Sequence, residues 1–197
     1  MTDCAGRHGE IVLRLPPWLA ADIPDHQEAF LSDESKVRLA IDLARRNVEQ
    51  RTGGPFGAAV FDRGSGRLVA AGVNQVEMSN CALAHAEMIA IALAQQAVGC
   101  YDLGAAGFLE LATSTEPCAM CLGAIAWSGL RRVVCSARDE DAAAIGFDEG
   151  AKPADWVGAL RQRGIEVAQD VLREEAQAVL QEYARRGGLI YNPGRRA

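Results

Sequence analysis

The chain has 197 residues, 49% of which are hydrophobic, and a formal net charge of −6. This composition is typical of one globular domain and excludes a disordered or fibrous chain, and the acidic balance disfavours a nucleic-acid partner, because binding to phosphates needs clustered Lys and Arg. No apolar run approaches the roughly 20 residues that span a bilayer, and residues 1–10 lack the apolar stretch of a secretory signal, so we expect a cytoplasmic protein without membrane contact.

The first predicted elements are an arm and a helix. Residues 1–30 contain three prolines and are expected to form an irregular N-terminal arm, with a short strand at Ile11–Leu15. A helix is predicted after the arm, and it is expected to end at Gly53 and Gly54. Its apolar face is marked by five residues at helical spacing: Val37, Ala40, Ile41, Ala44 and Val48.

The rest of the chain alternates between strands and helices. Five apolar segments are predicted to be strands: Phe56–Phe61, Leu68–Val73, Phe108–Thr113, Arg131–Ser136 and Ile165–Ala168. Four further segments are predicted to be helices: Ala84–Val98, Cys118–Trp127, Ala154–Arg163 and Leu172–Arg186. Such alternation is typical of an α/β layer structure, here in a single domain that spans residues 1–197.

Two short motifs place potential metal ligands at the starts of two predicted helices. His85 begins one helix, and Pro117 precedes Cys118 and Cys121 at the start of another. Residues three apart share a helix face, so both sulfurs can face one point, and the positive end of a helix favours thiolates. One imidazole and two thiolates supply three ligands for Zn²⁺. Because structural zinc usually takes four protein ligands, three of them indicate a catalytic site with one position left for water.

Glu87 lies two residues after His85 and is not needed as a ligand. Zinc lowers the pKa of a bound water to about 7, and a nearby carboxylate can carry the water's proton to a leaving amine. A lone Cys-x-x-Cys pair could also indicate structural zinc or redox chemistry. The combination of His-x-Glu with Pro-Cys-x-x-Cys, however, is the signature of zinc deaminases. The other cysteines (Cys4, Cys81, Cys100 and Cys135) are expected to be packing residues.

Four segments resemble the purine-acting branch of the cytidine deaminase superfamily: Gly53–Ala58, Asn74, Ala84–Glu87 and Glu116–Ile125. That branch holds bacterial guanine deaminases and tRNA adenosine deaminases, and the resemblance covers about residues 53–150. It implies a three-layer α/β/α sandwich with a five-stranded mixed sheet, one zinc ion per subunit and a homodimer.

The segment Ile145–Gly150 indicates guanine as the substrate. Guanine deaminases of this fold carry a similar Gly-Phe-Asp-acid segment, and the resemblance implies that Glu149 reads the substrate and helps to move protons. Asp148 remains an alternative, because the two acids are adjacent. A carboxylate complements the N1–H and 2-amino donors of guanine, and adenine lacks the N1 proton. The expected reaction converts guanine to xanthine and ammonia; a tRNA adenosine deaminase, or a deaminase of cytosine or an aminotriazine, remains an alternative.

The resemblance also implies the walls of a pocket for a small purine base. Asn74 resembles the purine-contacting amide of the family. The tail at residues 187–197 is a possible lid with Tyr191 at its tip, over the pocket of either its own subunit or a partner. Four further residues are expected to line the pocket: Ala86, Trp127, Phe147 and, with weaker support, Phe56.

Overall fold

The computed structural model describes residues 11–22 and 29–192, with a five-stranded sheet at the centre. The strand order is β2-β1-β3-β4-β5. β1 pairs antiparallel with both β2 and β3, whereas β3–β4 and β4–β5 are parallel pairs, so the expected mixed sheet is confirmed. The strands are β1 (Gly57–Asp62), β2 (Leu68–Val73), β3 (Leu109–Thr115), β4 (Arg132–Ala137) and β5 (Glu166–Ala168).

Helices cover both faces of the sheet and complete the three-layer α/β/α sandwich. One face packs against α2 (Asp33–Glu49) and α8 (Arg173–Arg185). The other face packs against α4 (Ala86–Val98), α5 (Ala119–Ser128) and α7 (Trp156–Gln162). The described residues also contain three short helices, which are α1 (Pro17–Asp22), α3 (Val76–Ser79) and α6 (Asp139–Ala144), and a 3₁₀ turn at Leu103–Ala105. Within this part of the chain, none of the helices has the length and apolar character that crossing a bilayer requires.

At Gly72, α4 rests directly on β2. A Cβ atom at this position would lie 2.4 Å from the carbonyl oxygen of Ala86 and 2.7 Å from the nitrogen of Ala90, closer than such atoms approach in proteins. No layer of side chains therefore separates this part of the helix from the sheet. Because Ala86 lies between His85 and Glu87, the contact also fixes the position of those two residues.

Buried ion pairs connect α2 to the end of the sheet at which β3 and β4 begin. The carboxylate of Glu110 is fully buried, 2.6 Å from Lys36 Nζ and 2.8 Å from Arg132 Nη1. Arg132 also pairs with Asp33 in the first turn of α2, at 2.6 Å. Removing one partner of such a group leaves an uncompensated buried charge, which destabilises a fold strongly. The predicted metal ligands lie beyond the opposite end of β3, so this network supports the fold and does not contact them.

The N-terminal part of the described chain differs from the prediction. The strand expected at Ile11–Leu15 is absent: residues 11–16 have no regular structure, and Ile11 and Val12 are exposed because no neighbouring strand covers them. Instead, α1 forms at Pro17–Asp22 and buries Leu19 in the core. The remainder of the expected arm, at residues 1–10 and 23–28, lies outside the described residues.

Other differences concern short elements. α3 and α6 have four and six residues, too few to produce a recognisable helical period. β3 begins at Leu109, and Phe108 lies outside it with 41% of its surface exposed. There the Phe108 ring packs under the guanidinium of Arg63, whose carbon lies 4.8 Å from the ring centre. The long elements begin and end within a few residues of their predicted bounds.

Candidate active site

His85, Cys118 and Cys121 meet where α4 and α5 begin. His85 is the N-cap of α4, Cys118 is the N-cap of α5, and Cys121 lies in the first turn of α5. The Nδ1 atom of His85 lies 3.6 Å from Cys118 Sγ and 3.7 Å from Cys121 Sγ, and the three atoms lie within 4.8 Å of one another. Bonds of ~2.0–2.3 Å to a tetrahedral zinc ion put the ligand atoms about 3.3–3.8 Å apart. These residues therefore fit a zinc ion, and the predicted ligand set is brought together.

The two thiols have opposite pKa shifts. A hydrogen bond from Cys121 lowers the pKa of Cys118 to about 4, with a further contribution from His85. The Cys121 thiol donates that hydrogen bond and is buried near the charge of Glu87. Together these effects hold the pKa of Cys121 far above its ordinary value. Burial lowers the pKa of His85, but the hydrogen bond with Cys118 and the negative charges around the ring raise it overall. At neutral pH the metal-free site therefore holds one thiolate and one thiol.

These shifts predict how many protons are released when zinc binds. Zinc must displace the proton of Cys121, and it also displaces a proton from His85 at any pH below the raised pKa of that histidine. We therefore expect the release of at least one proton at neutral pH, from Cys121, to which a protonated His85 and the bound water add. Calorimetric titration of zinc in buffers with different ionisation enthalpies measures this number. Cys135→Ser, at a buried thiol on β4, should leave this number unchanged, and a release of well under one proton would contradict the assignment.

Glu87 lies in the first turn of α4 and is buried beside the two cysteines. Burial, followed by the negative charge of Cys118, raises the pKa of Glu87 to about 7. A group with a pKa near the working pH is efficient at both accepting and donating a proton. The position and the pKa of Glu87 thus suit proton transfer next to the metal ligands.

The structure distinguishes the two adjacent acids, Asp148 and Glu149. The backbone carbonyl of Glu149 accepts a hydrogen bond from Ala119 N–H at 2.9 Å, which holds Glu149 against the start of α5. Burial, followed by the charge of Cys118, raises the pKa of the Glu149 carboxyl to about 8. Asp148 is exposed, and its carboxylate accepts a hydrogen bond from Gly150 N–H at 3.0 Å. Glu149 is therefore the acid of this segment that lies beside the metal ligands.

Aromatic rings and an amide lie next to His85. The ring of Phe147 is buried, with its centre 4.9 Å from that of Phe56 and 5.2 Å from that of Tyr191. The Tyr191 ring also lies 6.2 Å from the His85 ring, and its hydroxyl accepts a hydrogen bond of 2.6 Å from Asn74 Nδ2. Asn74, Phe56, Phe147 and Tyr191 thus form one cluster, and the tail reaches the site of its own chain.

A residue that the sequence reasoning missed, Asn192, attaches the tail to the loop that carries Glu149. Its Nδ2 donates to the carbonyl of Gly146 at 2.7 Å, and its Oδ1 accepts from Asp148 N–H at 3.1 Å. The side chain of Asn192 therefore connects the tail to the residues directly before and after Phe147 in the chain. Nothing in the sequence distinguishes Asn192 from a residue of an ordinary polar tail, and residues 193–197 of the possible lid lie outside the described residues.

Trp127 does not belong to this cluster. It is 85% exposed, whereas Cys121 and Ile125 on the same helix are buried. Six residues separate Trp127 from Cys121, which rotates its direction by about 240° around the helix axis. Within this chain Trp127 therefore lies apart from the cluster, and its packing against a base stays a prediction. Ala86 is fully buried, and its side chain packs into the core under α4 rather than forming part of the cluster.

Lys152, also missed, supports the start of α5 from behind. This buried lysine lies 2.5 Å from Asp139 and 3.6 Å from Glu116, and it donates to the carbonyl of Pro117 at 3.1 Å. Pro117 directly precedes the ligand Cys118, so the lysine holds the backbone that presents this ligand. Lysine is usually a surface residue, and no sequence signal distinguished this one.

The other cysteines of the described chain are not among the predicted metal ligands. Cys135 is buried in β4, and Cys81 and Cys100 are half-buried; all three are free thiols. Cys135 thus has the expected packing role. Cys4 lies outside the described residues.

Comparison with known proteins identifies the family. Residues 31–137 match the model of the cytidine and deoxycytidylate deaminase zinc-binding region. The chain is 41% identical over 119 residues to the guanine deaminase of Bacillus subtilis (strain 168), covering 60% of this chain and 73% of that protein. It resembles the solved structure of a guanine deaminase from Nitrosomonas europaea, with 44% identity and a TM-score of 0.84 over 89% of this chain and 97% of that one. A structure of NE0047 with 2,6-diaminopurine is 46% identical, with a TM-score of 0.84 over 92% and 96% of the two chains. Because the family match spans more than half of the chain and contains both ligand motifs, the chain belongs to the cytidine and deoxycytidylate deaminase family of zinc-binding enzymes.

Proposed function

We propose that the protein is a guanine deaminase that hydrolyses guanine to xanthine and ammonia. The observation that carries this proposal is the placement of the Glu149 carboxyl beside the metal ligands, in a chain whose similar proteins include guanine deaminases. The N1–H and 2-amino groups of guanine are adjacent donors, and one ionised carboxylate accepts from both. Burial alone favours the neutral form of Glu149, and the two donors of a bound guanine would favour the ionised form and lower its pKa. Adenine would leave that acceptor without its N1–H partner, and an unpaired buried group strongly disfavours the wrong base.

The chain's own residues account for the movement of protons in this reaction. His85, Cys118 and Cys121 would hold a zinc ion, which when bound makes a water molecule acidic enough to attack at neutral pH. Glu87 takes the proton from that water and delivers it to the 2-amino nitrogen. The water oxygen forms a bond to C2 of guanine, the bond from C2 to the amino nitrogen breaks, and ammonia leaves. The second proton of the water moves from the new C2 oxygen to N3, which gives xanthine. The pKa of Glu87 near neutrality suits both steps.

The aromatic cluster would hold the base in place. The faces of Phe147 and Phe56 offer flat apolar surfaces to a purine ring. The Asn74 amide carries a donor and an acceptor, so it can pair with one edge of the base. Tyr191 lies next to His85 and Asn74, and a tail in this position would suit a free base better than a base within a folded RNA.

We also propose that the protein is a cytoplasmic homodimer. Met120, Gly123, Ala124 and Trp127 lie on one face of α5, and the large ring of Trp127 is almost entirely exposed. An exposed apolar stripe of this kind is typical of an interface with another subunit. A cytoplasmic location would keep Cys118 and Cys121 reduced, as zinc binding requires. Sedimentation velocity should give twice the mass of the 21.0 kDa chain, and Trp127→Glu should shift it toward a monomer; a monomeric unmodified protein would contradict the dimer.

The proposed reaction is tested by ammonia release from guanine, adenine, cytosine and an aminotriazine, with the zinc content measured on the same sample. We expect release from guanine and much slower release from the other three. Turnover of cytosine or the aminotriazine in place of guanine would indicate another amino-heterocycle as substrate. A zinc-loaded sample that releases no ammonia from guanine overturns the proposal.

A further inference from the structure

Asn47 is a fully buried polar residue on the sheet-facing side of α2. Its Nδ2 donates to the carbonyl of Gly54 at 2.8 Å and to that of Asn74 at 2.9 Å, and its Oδ1 accepts from the Thr52 hydroxyl at 2.7 Å. The nitrogen and the oxygen of the Asn47 amide thus both have hydrogen-bond partners. One side chain joins α2, the loop at Gly54 and the backbone at the end of β2.

Trp18 on α1 fixes the direction of these hydrogen bonds. Its Nε1 donates to the Thr52 hydroxyl oxygen at 3.0 Å, and an indole N–H can only donate. The Thr52 hydroxyl therefore accepts a hydrogen bond from Trp18 and donates one to Asn47 Oδ1. The amide of Asn47 is thereby oriented with its NH₂ group toward the two backbone carbonyls. A chain of hydrogen bonds leads in one direction from Trp18 to the backbone of Asn74.

The backbone of Asn74 is also confined from two further sides. Gln75 Nε2 donates to the carbonyl of Asn74 at 2.9 Å and to that of Thr52 at 2.7 Å. At Gly53, a Cβ atom would lie 1.9 Å from the carbonyl oxygen of Asn74, so the loop backbone itself touches that carbonyl. The side chain of Asn74 projects from this anchored backbone toward Tyr191.

We propose that Trp18, Thr52 and Asn47 are positioning residues that orient the Asn74 amide toward the substrate. This inference rests on the proposed function, in which Asn74 contacts the purine. It makes α1, which lies outside the matched residues 31–137, part of the substrate-binding assembly. An amide held in one orientation loses little conformational freedom when it binds a ligand, whereas a loosened amide binds more weakly. Because Asn74 contacts the base both before and during the reaction, loosening it raises KM and leaves kcat nearly unchanged.

A matched pair of substitutions at Thr52 tests this proposal. Thr52→Val keeps the shape and removes the hydroxyl, whereas Thr52→Ser keeps the hydroxyl. Thr52→Val removes the hydrogen bonds of the hydroxyl to both Trp18 and Asn47. We expect it to raise the KM for guanine and the Kd for 8-azaguanine by about three- to tenfold, with kcat changed less than about twofold. Thr52→Ser should remain near the unmodified values, and Trp18→Phe should change KM in the same direction as Thr52→Val. Thermal unfolding of each variant shows whether it is folded.

Two further measurements separate positioning from a general loss of stability. In an Asn74→Ala background, Thr52→Val should cause no additional change in the Kd for 8-azaguanine, because coupled residues do not add. In the ligand-free protein, the side-chain amide signals of Asn74 in ¹H–¹⁵N spectra should shift or broaden with Thr52→Val and stay in place with Thr52→Ser. Equal Kd values and unchanged Asn74 signals in both Thr52 variants would overturn the inference. A change in the Asn74 signals without ammonia release from guanine by the unmodified protein would overturn the proposed function alone.

Discussion

Glu87→Gln should reduce kcat for guanine by about a hundredfold or more while zinc remains bound. Proton transfer by a positioned side chain typically contributes about 10²–10⁴-fold to a rate, and glutamine keeps the shape of glutamate but cannot carry a proton. Glu87 is buried next to the metal ligands with a pKa of about 7, so its position and its pKa both suit the transfer of this proton. Steady-state ammonia release and the zinc content of the same sample measure the two parts of the prediction.

Glu174→Gln is the matched control, because Glu174 is an exposed acid in the first turn of α8, on the other face of the sheet. Its activity should equal that of the unmodified protein. If Glu87→Gln retains both zinc and turnover, the assignment of Glu87 as the proton carrier is wrong. If it loses zinc, Glu87 instead contributes to metal binding.

Glu149→Gln should lower kcat/KM for guanine by about tenfold to a hundredfold and reduce the preference for guanine over adenine. A hydrogen bond to a charged group contributes about 1.5–3 kcal/mol, and a glutamine amide presents one acceptor and one donor where guanine needs two acceptors. The rate should fall for guanine and stay the same or rise for adenine. Ammonia release from both bases, measured at several concentrations, gives the ratio.

Asp148→Asn provides the control at the neighbouring acid. The carboxylate of Asp148 is exposed and accepts from Gly150 N–H, which an asparagine oxygen can also do. We expect its kcat/KM for guanine to remain close to that of the unmodified protein. A large loss with Asp148→Asn and none with Glu149→Gln would exchange the roles of the two acids.

The sequence predicted an α/β layer structure and the metal ligands because both depend on local patterns, whereas the three-layer sandwich was implied by the family resemblance. The apolar periodicity of α2 is long enough to predict a helix. The apolar runs of β1 and β2 are long enough to predict two strands. The ligands lie at N-cap and first-turn positions, where spacing along the chain determines spacing in space. The segment Ile145–Gly150 resembled a known pattern, and its glutamate does lie beside the ligands.

The features that were missed depend on contacts between distant segments. Asn192 reaches Gly146, and Lys152 reaches Pro117, across more than thirty residues of the chain, which no local pattern reveals. The resemblance suggested Trp127 for the pocket, but it carried no information on which side of α5 this ring lies. Asn47 did carry a signal, since it follows Ala44 by three residues and Ala40 by seven and so lies on the apolar face of its helix. A polar residue on such a face needs buried partners, and here they are the supports of Asn74.

The direct contact of α4 with β2 at Gly72 limits how the substrate range of this protein can be altered. The wall of the site that presents His85 and Glu87 rests on backbone, so substitutions there cannot enlarge it without moving the catalytic groups themselves. The opposite wall consists of the loop at residues 145–150 and the tail, which are joined through the side chain of Asn192. Libraries that seek activity on bulkier or differently substituted heterocycles should therefore vary the loop and the tail and leave the β2–α4 contact intact.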